Sequence, residues 1–202
     1  MNWLAHLWLA DRSRTSAAGQ LLGDEIKGRI DPATSSLGQT VANGIVIHRR
    51  IDRLADDHPL HRDLRGLFAG RCLRYAGIVV DIGLDHALAR TWRSFNAEPL
   101  EAFATRLSVQ VGQEWPTAAL GREAPAHARF ARLLTGYTQA SGMTRALAHV
   151  EQRLRRPVDL VPLADTVIAQ RAQFERAVGP ILDDLLRAIE TRPPAPRVAE
   201  RQ

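Results

Sequence analysis

Two carboxylates stand one helical turn apart in the apolar segment 77–88, and an imidazole follows the second of them. If the segment is helical, Asp81 and Asp85 share a face and repel each other, with His86 beside the second carboxylate. An unpaired carboxylate in apolar surroundings costs several kcal/mol or loses its charge, so we expect a positive partner here. A divalent cation with oxygen and imidazole ligands meets this need. A buried ion-pair network with Arg74, Arg90 or a residue of another helix is the alternative.

A second group of polar side chains recurs at helical spacing along the chain. His48, Asp52 and Asp56 occupy positions i, i+4 and i+8. A histidine and an aspartate one turn apart can bind one metal ion together. The alternative is an ordinary surface stripe in which Asp52 pairs with Arg49 or Arg53.

Asp24 and His6 are the remaining candidates for chemistry. Asp24 follows a run containing Gly19 and Gly23, and each glycine lowers helix propensity by about 1 kcal/mol relative to alanine. This pattern favours close backbone packing or room for a ligand, while a solvated carboxylate near a helix end is the alternative. His6 lies in an apolar turn, where the alternative to a ligand is a core histidine bonded to a backbone carbonyl. The other histidines have polar neighbours and are expected on the surface: His58, His61, His127 and His149.

The elements that must position these side chains are helices, because apolar residues recur with a helical period and no run alternates as a strand would. We predict an all-α, single-domain bundle of about eight or nine helices, with residues 1–191 as one helical catalytic domain. Residues 192–202, rich in proline, are predicted to form a flexible tail. The predicted helices cover 2–9, 17–27, 36–56, 59–68, 73–95, 99–115, 126–141, 143–155 and 163–191.

Composition narrows the class of protein and of partner. The chain of 202 residues has a formal net charge of +5, which favours an acidic partner. Aromatic residues make up 5% of the chain and do not interleave with the basic ones, which counts against binding of single-stranded nucleic acid. A lone Cys72 excludes an internal disulfide and a thiolate-rich zinc site, and it fits a reducing cytoplasm. The N-terminal segment lacks the pattern of a signal peptide or a membrane span, and the oligomeric state stays open.

Four segments in order carry a family resemblance. They are MNWLAHL at 1–7, GQLLGDEIKG at 19–28, GIVIHRRID at 44–52 and DIGLDH at 81–86. These motifs resemble those of the bacterial acyl carrier protein phosphodiesterase family, also called acyl carrier protein hydrolase. The resemblance covers roughly the N-terminal half of the chain, and the remainder agrees in length and helical character. The chain departs from the family at Trp8, where a histidine is frequent.

The resemblance implies a helical fold that is distantly similar to the HD-domain metal phosphohydrolases, with rearranged motifs. In place of the usual adjacent His-Asp pair, this chain has Asp85 followed by His86. The implied reaction is hydrolysis of the phosphodiester that joins 4′-phosphopantetheine to a serine of acyl carrier protein. Its implied products are the apo carrier and free 4′-phosphopantetheine. The implied cofactor is Mn²⁺, with Mg²⁺ or another divalent cation as alternatives.

The resemblance also implies roles for individual side chains. Metal ligands are expected among Asp24, Asp52, Asp81, His48, His86 and His6. Catalytic roles are expected for His48, Asp85 and His86. Arg49 and Arg50 adjoin the histidine of the third motif and can pair with phosphate, though consecutive helical positions diverge too far for both to face inward. Lys27 belongs to a basic rim that would attract an acidic carrier protein.

Two other functions stay open at this stage. The same polar residues suit a helical metal-dependent phosphohydrolase of another phosphodiester or of a nucleotide, because metal ligands alone do not identify a substrate. A non-enzymatic, arginine-rich binding protein also fits the net charge.

Overall fold

The computed structural model describes residues 1–68, 74–154 and 157–191, so that Cys72 and the predicted tail at 192–202 lie outside the described part. Every regular element within it is helical, which confirms the all-α prediction. The described residues form eleven α helices, more than the sequence predicted. They are α1 (Trp3–Ser13), α2 (Ala17–Leu22), α3 (Gln39–Asp57), α4 (Pro59–Arg65), α5 (Ala76–Arg90), α6 (Leu100–Glu114), α7 (Thr117–Leu120), α8 (His127–Gly136), α9 (Ala140–Glu151), α10 (Leu163–Ala169) and α11 (Arg171–Glu190).

The helix predicted to run to residue 27 ends at Leu22 instead, and a loop follows as far as α3. In this loop the carbonyl groups of Ile26 and Gly28 accept hydrogen bonds from Arg49 of α3. A tertiary contact therefore satisfies carbonyl groups that helical hydrogen bonds would otherwise have to satisfy. Gly28 has a φ of 83°, a left-handed conformation that favours a residue without a Cβ atom.

Most of the other predicted helices also differ in extent, and two of the differences have a clear cause in the backbone. The predicted helix 163–191 divides at Gln170, whose φ of −100° and ψ of 18° separate α10 from α11. The predicted helix 73–95 ends at Thr91, which has a similar backbone conformation, and a 3-10 turn follows it. Both residues lie in the sparsely populated bridge region, where the helical hydrogen-bond pattern is interrupted.

The centre of the bundle consists of α1 and α5. Residues 4–10 of α1 and 82–89 of α5 are all buried. α1 contacts α2, α5 and α11, and α5 also contacts α4, α9, α10 and α11. Because α5 is enclosed by helices, its sequence is apolar on nearly every face and does not reveal which neighbour each face meets. None of the helices in the described part of the chain is both long and apolar enough to cross a lipid bilayer.

Glycines allow α2 and α3 to pack at unusually short range. A Cβ atom on Gly19 would lie 2.5 Å from the carbonyl oxygen of Val41, and one on Gly44 would lie 2.9 Å from the Cα of Gly19. Both distances are well below van der Waals contact, so neither position accepts a side chain. This confirms the close backbone packing that the glycine pattern predicted. It also brings the end of α2 against His48.

Candidate functional site

Two histidines and one aspartate converge where α1 meets α3. His6 Nε2 lies 3.0 Å from Asp52 Oδ1, and His48 Nε2 lies 2.9 Å from Asp52 Oδ2. The two imidazole rings stack with their centroids 4.1 Å apart. The three side chains each offer one ligand atom, all within 4.8 Å of one another, which is compatible with joint binding of one metal ion. The i, i+4 spacing places His48 and Asp52 on the same face of α3, as predicted.

Two further carboxylates adjoin this cluster. Asp24 Oδ1 lies 3.4 Å from His48 Nε2 on its exposed side. Asp81 Oδ1 lies 3.1 Å from the amino nitrogen of Met1, which in turn lies 3.3 Å from Asp52 Oδ1. A positively charged group thus stands between two carboxylates, and no arginine forms an ion pair with Asp81 in the part of the chain that is described. Five of the six predicted metal ligands therefore come together.

The protonation of the cluster is strongly perturbed. Burial disfavours the charge on Asp52, but hydrogen bonds from His48 and His6 outweigh burial and hold the pKa of this carboxyl far below its usual range. Burial also disfavours protonated His48, yet its hydrogen bonds to Asp24 and Asp52 raise the pKa of the imidazole to about 9. Burial and the neighbouring His48 lower the pKa of His6. The hydrogen bond with His48 lowers the pKa of Asp24, so this exposed carboxylate is ionised.

The orientation of His6 fits a bound cation. Its Nδ1 lies 2.8 Å from Gln20 Oε1 and its Nε2 lies 3.0 Å from Asp52 Oδ1, so both ring nitrogens have a polar neighbour. A hydrogen on Nε2 would be donated to Asp52, whereas a neutral ring with its hydrogen on Nδ1 would offer the lone pair of Nε2 to a cation. Because the pKa of His6 is lowered, the neutral ring that metal binding requires is favoured over the imidazolium. Imidazole nitrogen and carboxylate oxygen are both ligands of first-row divalent ions, so the donor set suits such an ion.

The predicted phosphate-binding and rim residues occupy three different settings. Arg49 donates to the carbonyl oxygens of Ile26 and Gly28, at 2.5 and 2.7 Å, and so fixes the loop that begins with Asp24. Lys27 donates to the backbone carbonyl of Asp24 at 2.5 Å. Arg50 is half-buried, and its position two residues from both His48 and Asp52 places it on the far side of α3.

Asp85 and His86, which were expected to be catalytic, make their hydrogen bonds away from the cluster, and His86 is the predicted metal ligand that does not join it. The Asp85 carboxylate accepts hydrogen bonds from the backbone N–H groups of Leu4 and Ala5, at 2.7 and 3.0 Å, and thereby caps the start of α1. His86 Nδ1 donates to the carbonyl oxygen of Tyr137 at 2.6 Å. Five helical steps turn His86 about 140° from Asp81, so the two side chains face different neighbours.

His61 is the polar residue that the sequence interpretation missed. It was expected on the surface, but its side chain has no solvent exposure, and its Nε2 lies 2.9 Å from Asp81 Oδ1. Leu64 and Phe68, at i+3 and i+7 from it, are also buried. This spacing is the signal that could have placed His61 on the inner face of α4. The expectation of exposure was correct for His127 and His149.

Sequence comparisons with known proteins agree on one family. A sequence model of the family described as acyl carrier protein phosphodiesterase matches residues 1–185. Proteins named acyl carrier protein phosphodiesterase from Salmonella agona (strain SL483) and Salmonella newport (strain SL254) are each 39% identical over 117 residues. The aligned segment spans 57% of this chain and 59% of the length of each relative. No solved structure is a significant match.

Proposed function

The chain belongs to the acyl carrier protein phosphodiesterase family, and we propose that it hydrolyses the phosphodiester between 4′-phosphopantetheine and the serine of holo acyl carrier protein. The products are the apo carrier and free 4′-phosphopantetheine, and the reaction takes place in the cytoplasm. The observation that carries the proposal is the convergence of His6, His48 and Asp52, with Asp24 and Asp81 beside them. This arrangement has the donor groups that metal-assisted phosphoryl chemistry requires.

We assign His6, His48 and Asp52 as ligands of a divalent cation, with Mn²⁺ as the first candidate and Mg²⁺ as the second. Because the pKa of His48 is raised to about 9, the cation would displace a proton from this ring. Asp81 is a further candidate ligand, since its carboxylate faces the same amino nitrogen of Met1 as Asp52 does. When bound, such a cation supplies a Lewis acid for the phosphoryl oxygens and activates a water molecule. The chain's own contribution is to hold these donors in fixed positions and to favour the neutral ring of His6.

Proton transfer is assigned to Asp24. Its side chain is 72% exposed, whereas the histidines beside it are buried, so it can meet both solvent and an incoming substrate. It is ionised in this setting, so it can accept a proton from the attacking water and pass it to the serine oxygen as that oxygen leaves. Asp85 and His86 are left out of the reacting groups, because the former caps α1 and the latter is bound to a backbone carbonyl.

Recognition of the carrier is assigned to exposed basic residues near Asp24. Lys27 and Arg29 lie in the loop after α2, and Arg53 projects from α3. An acidic carrier would be attracted by this charge, and the rate of its association would fall as salt is added. Arg62 is also exposed, but it forms an ion pair with Asp57 that offsets its charge.

The direct test is incubation of the purified protein with holo carrier and Mn²⁺, followed by intact-mass measurement of the carrier. We expect the carrier to lose the mass of its prosthetic group, and Asp52→Asn to abolish the loss. Asp56→Asn is the matched control, because Asp56 lies one turn along the same helix, is exposed and pairs only with Arg65 among the described residues. An unchanged carrier mass with every divalent ion tried would refute the proposal, and turnover of another phosphodiester would redirect it.

A further inference from the structure

His61 is a buried histidine whose single polar contact points at the candidate site. It lies in the first turn of α4, and its side chain has no exposed surface. Nε2 lies 2.9 Å from Asp81 Oδ1, while Nδ1 is buried without a hydrogen-bond partner among the residues described. Burying a polar ring with one atom unsatisfied is unfavourable, so an apolar residue would suit the packing of α4 better.

The chemistry of the two partners fixes the direction of the contact. A carboxylate can only accept, so Nε2 of His61 carries the hydrogen and donates it to Asp81. A hydrogen on Nδ1 would be buried without an acceptor, so the neutral ring with Nε2–H fits the surroundings. His61 of α4 is therefore the donor and Asp81 of α5 the acceptor, so that α4 restrains a carboxylate that projects from α5.

The contact with His61 matters for the candidate site because Asp81 faces Asp52. Asp81 and Asp52 flank one positively charged nitrogen, at 3.1 and 3.3 Å, so the two carboxylates converge on a single point. Two carboxylates that converge repel each other, and here the amino group of Met1 offsets part of that repulsion. The hydrogen bond from His61 is a second restraint, which fixes the direction that Asp81 faces. His61 approaches Asp81 from α4, a helix that supplies none of the proposed ligands.

We propose that His61 is a positioning residue, which fixes the Asp81 carboxylate towards Asp52 and thereby strengthens binding of a divalent cation at the cluster of His6, His48 and Asp52. This inference rests on the proposed cation site and goes beyond it by naming the residue that orients one of its charges. Groups that orient metal-site ligands in this way typically change metal affinity by about 10- to 100-fold when they are removed.

The test is Mn²⁺ affinity, measured by titration calorimetry on the full chain without any carrier protein. His61→Leu removes the donor and keeps a buried, apolar side chain, and we expect it to weaken binding by about 10- to 100-fold. His61→Gln keeps an N–H donor at a similar reach and should restore most of the affinity. His58→Gln is the control for general damage to α4, because His58 caps that helix and pairs with Asp184, away from Asp81.

Each result decides a different question. Wild-type affinity in a folded His61→Leu protein would overturn the positioning role and leave the proposed hydrolysis standing. If the wild type does not hydrolyse the carrier but binds Mn²⁺, and His61→Leu still weakens that binding, only the proposed substrate would be refuted. A wild type that binds no divalent ion would overturn both. If His61→Leu does not fold, the ring nitrogens of the wild type decide by NMR: a hydrogen on Nε2 of His61 supports the proposal, and one on Nδ1 refutes it.

Discussion

Gly23 offers a sharp test of the site, because an added methyl group there would collide with His48. A Cβ atom on Gly23 would lie 2.0 Å from Cδ2, 2.1 Å from Cγ and 2.7 Å from Cβ of His48. The backbone of Gly23 is right-handed helical, with φ −55° and ψ −39°, so alanine brings no backbone strain. The effect of Gly23→Ala is therefore steric and is directed at one side chain.

The size of the collision with His48 sets how much activity and stability Gly23→Ala should lose. The methyl group reaches as far as Cβ of His48, so turning the imidazole about its outer bond cannot relieve the collision and the whole side chain must move. A displacement of about 1 Å or more would separate His48 Nε2 from Asp52 and can cost about 100-fold in rate. Overpacking of this kind also costs about 1–3 kcal/mol of stability. The prediction is a loss of both Mn²⁺ affinity and carrier hydrolysis that far exceeds the loss of stability.

The assay compares Gly23→Ala with Gly77→Ala. A Cβ atom on Gly77, near the start of α5, would have its nearest neighbour at 3.9 Å, so that substitution adds a helix-favouring residue without a collision. It should raise stability by about 0.4–1 kcal/mol. Thermal unfolding, Mn²⁺ titration and hydrolysis are measured on both variants. If Gly23→Ala binds Mn²⁺ and turns over as the wild type does, the position of His48 is not what the site depends on.

Two more predictions concern the residues that support the site. Asp85→Asn should lower the free energy of unfolding by about 1–3 kcal/mol, because both oxygens of the Asp85 carboxyl accept hydrogen bonds, from Leu4 and Ala5, whereas only one atom of an amide can accept. Burial raises the pKa of Asp85 to about 7 from 3.8, so its contribution to stability is greatest below pH 3.8 and is lost as the pH rises through 7. The gap between wild type and Asp85→Asn in urea unfolding should therefore widen from pH 7 to pH 4, and parallel curves would contradict this. Arg49→Met should speed amide exchange in the loop after α2 by removing two hydrogen bonds to its carbonyls, whereas Arg53→Met should not; equal exchange in the two variants would count against the role of Arg49 in holding the loop.

Much of the fold could be predicted from local patterns in the sequence. Helical periodicity predicted the all-α class, and the i, i+4 spacing placed His48 and Asp52 on one face of α3. The glycine pair before Asp24 indicated close packing, which the contact between Gly19 and Gly44 confirms. These features depend on the rise and turn of a single helix or on the size of one residue, so the sequence determines them directly.

The extent of the elements was less predictable, because contacts between elements decide where a helix ends. The chain after Leu22 leaves the helix, and Arg49 from a distant helix binds the carbonyls of the loop that follows. No local sequence pattern predicts that contact, since it joins residues more than twenty positions apart. The same arginine was predicted to bind phosphate from its position in a motif.

Asp81 and Asp85 show most clearly what the tertiary structure alone decided. Both lie on one face of α5, as their spacing required, and the sequence correctly indicated that each needs a partner. Asp81 faces the cluster around Asp52, whereas Asp85 accepts from Leu4, which is 81 residues away along the chain. A side chain's direction from its helix is local, but the atoms it meets there depend on which helices pack against that face. The sequence therefore determined that both carboxylates need a partner, and only the packing of other helices against α5 decided that one faces the cluster around Asp52 while the other caps the start of α1.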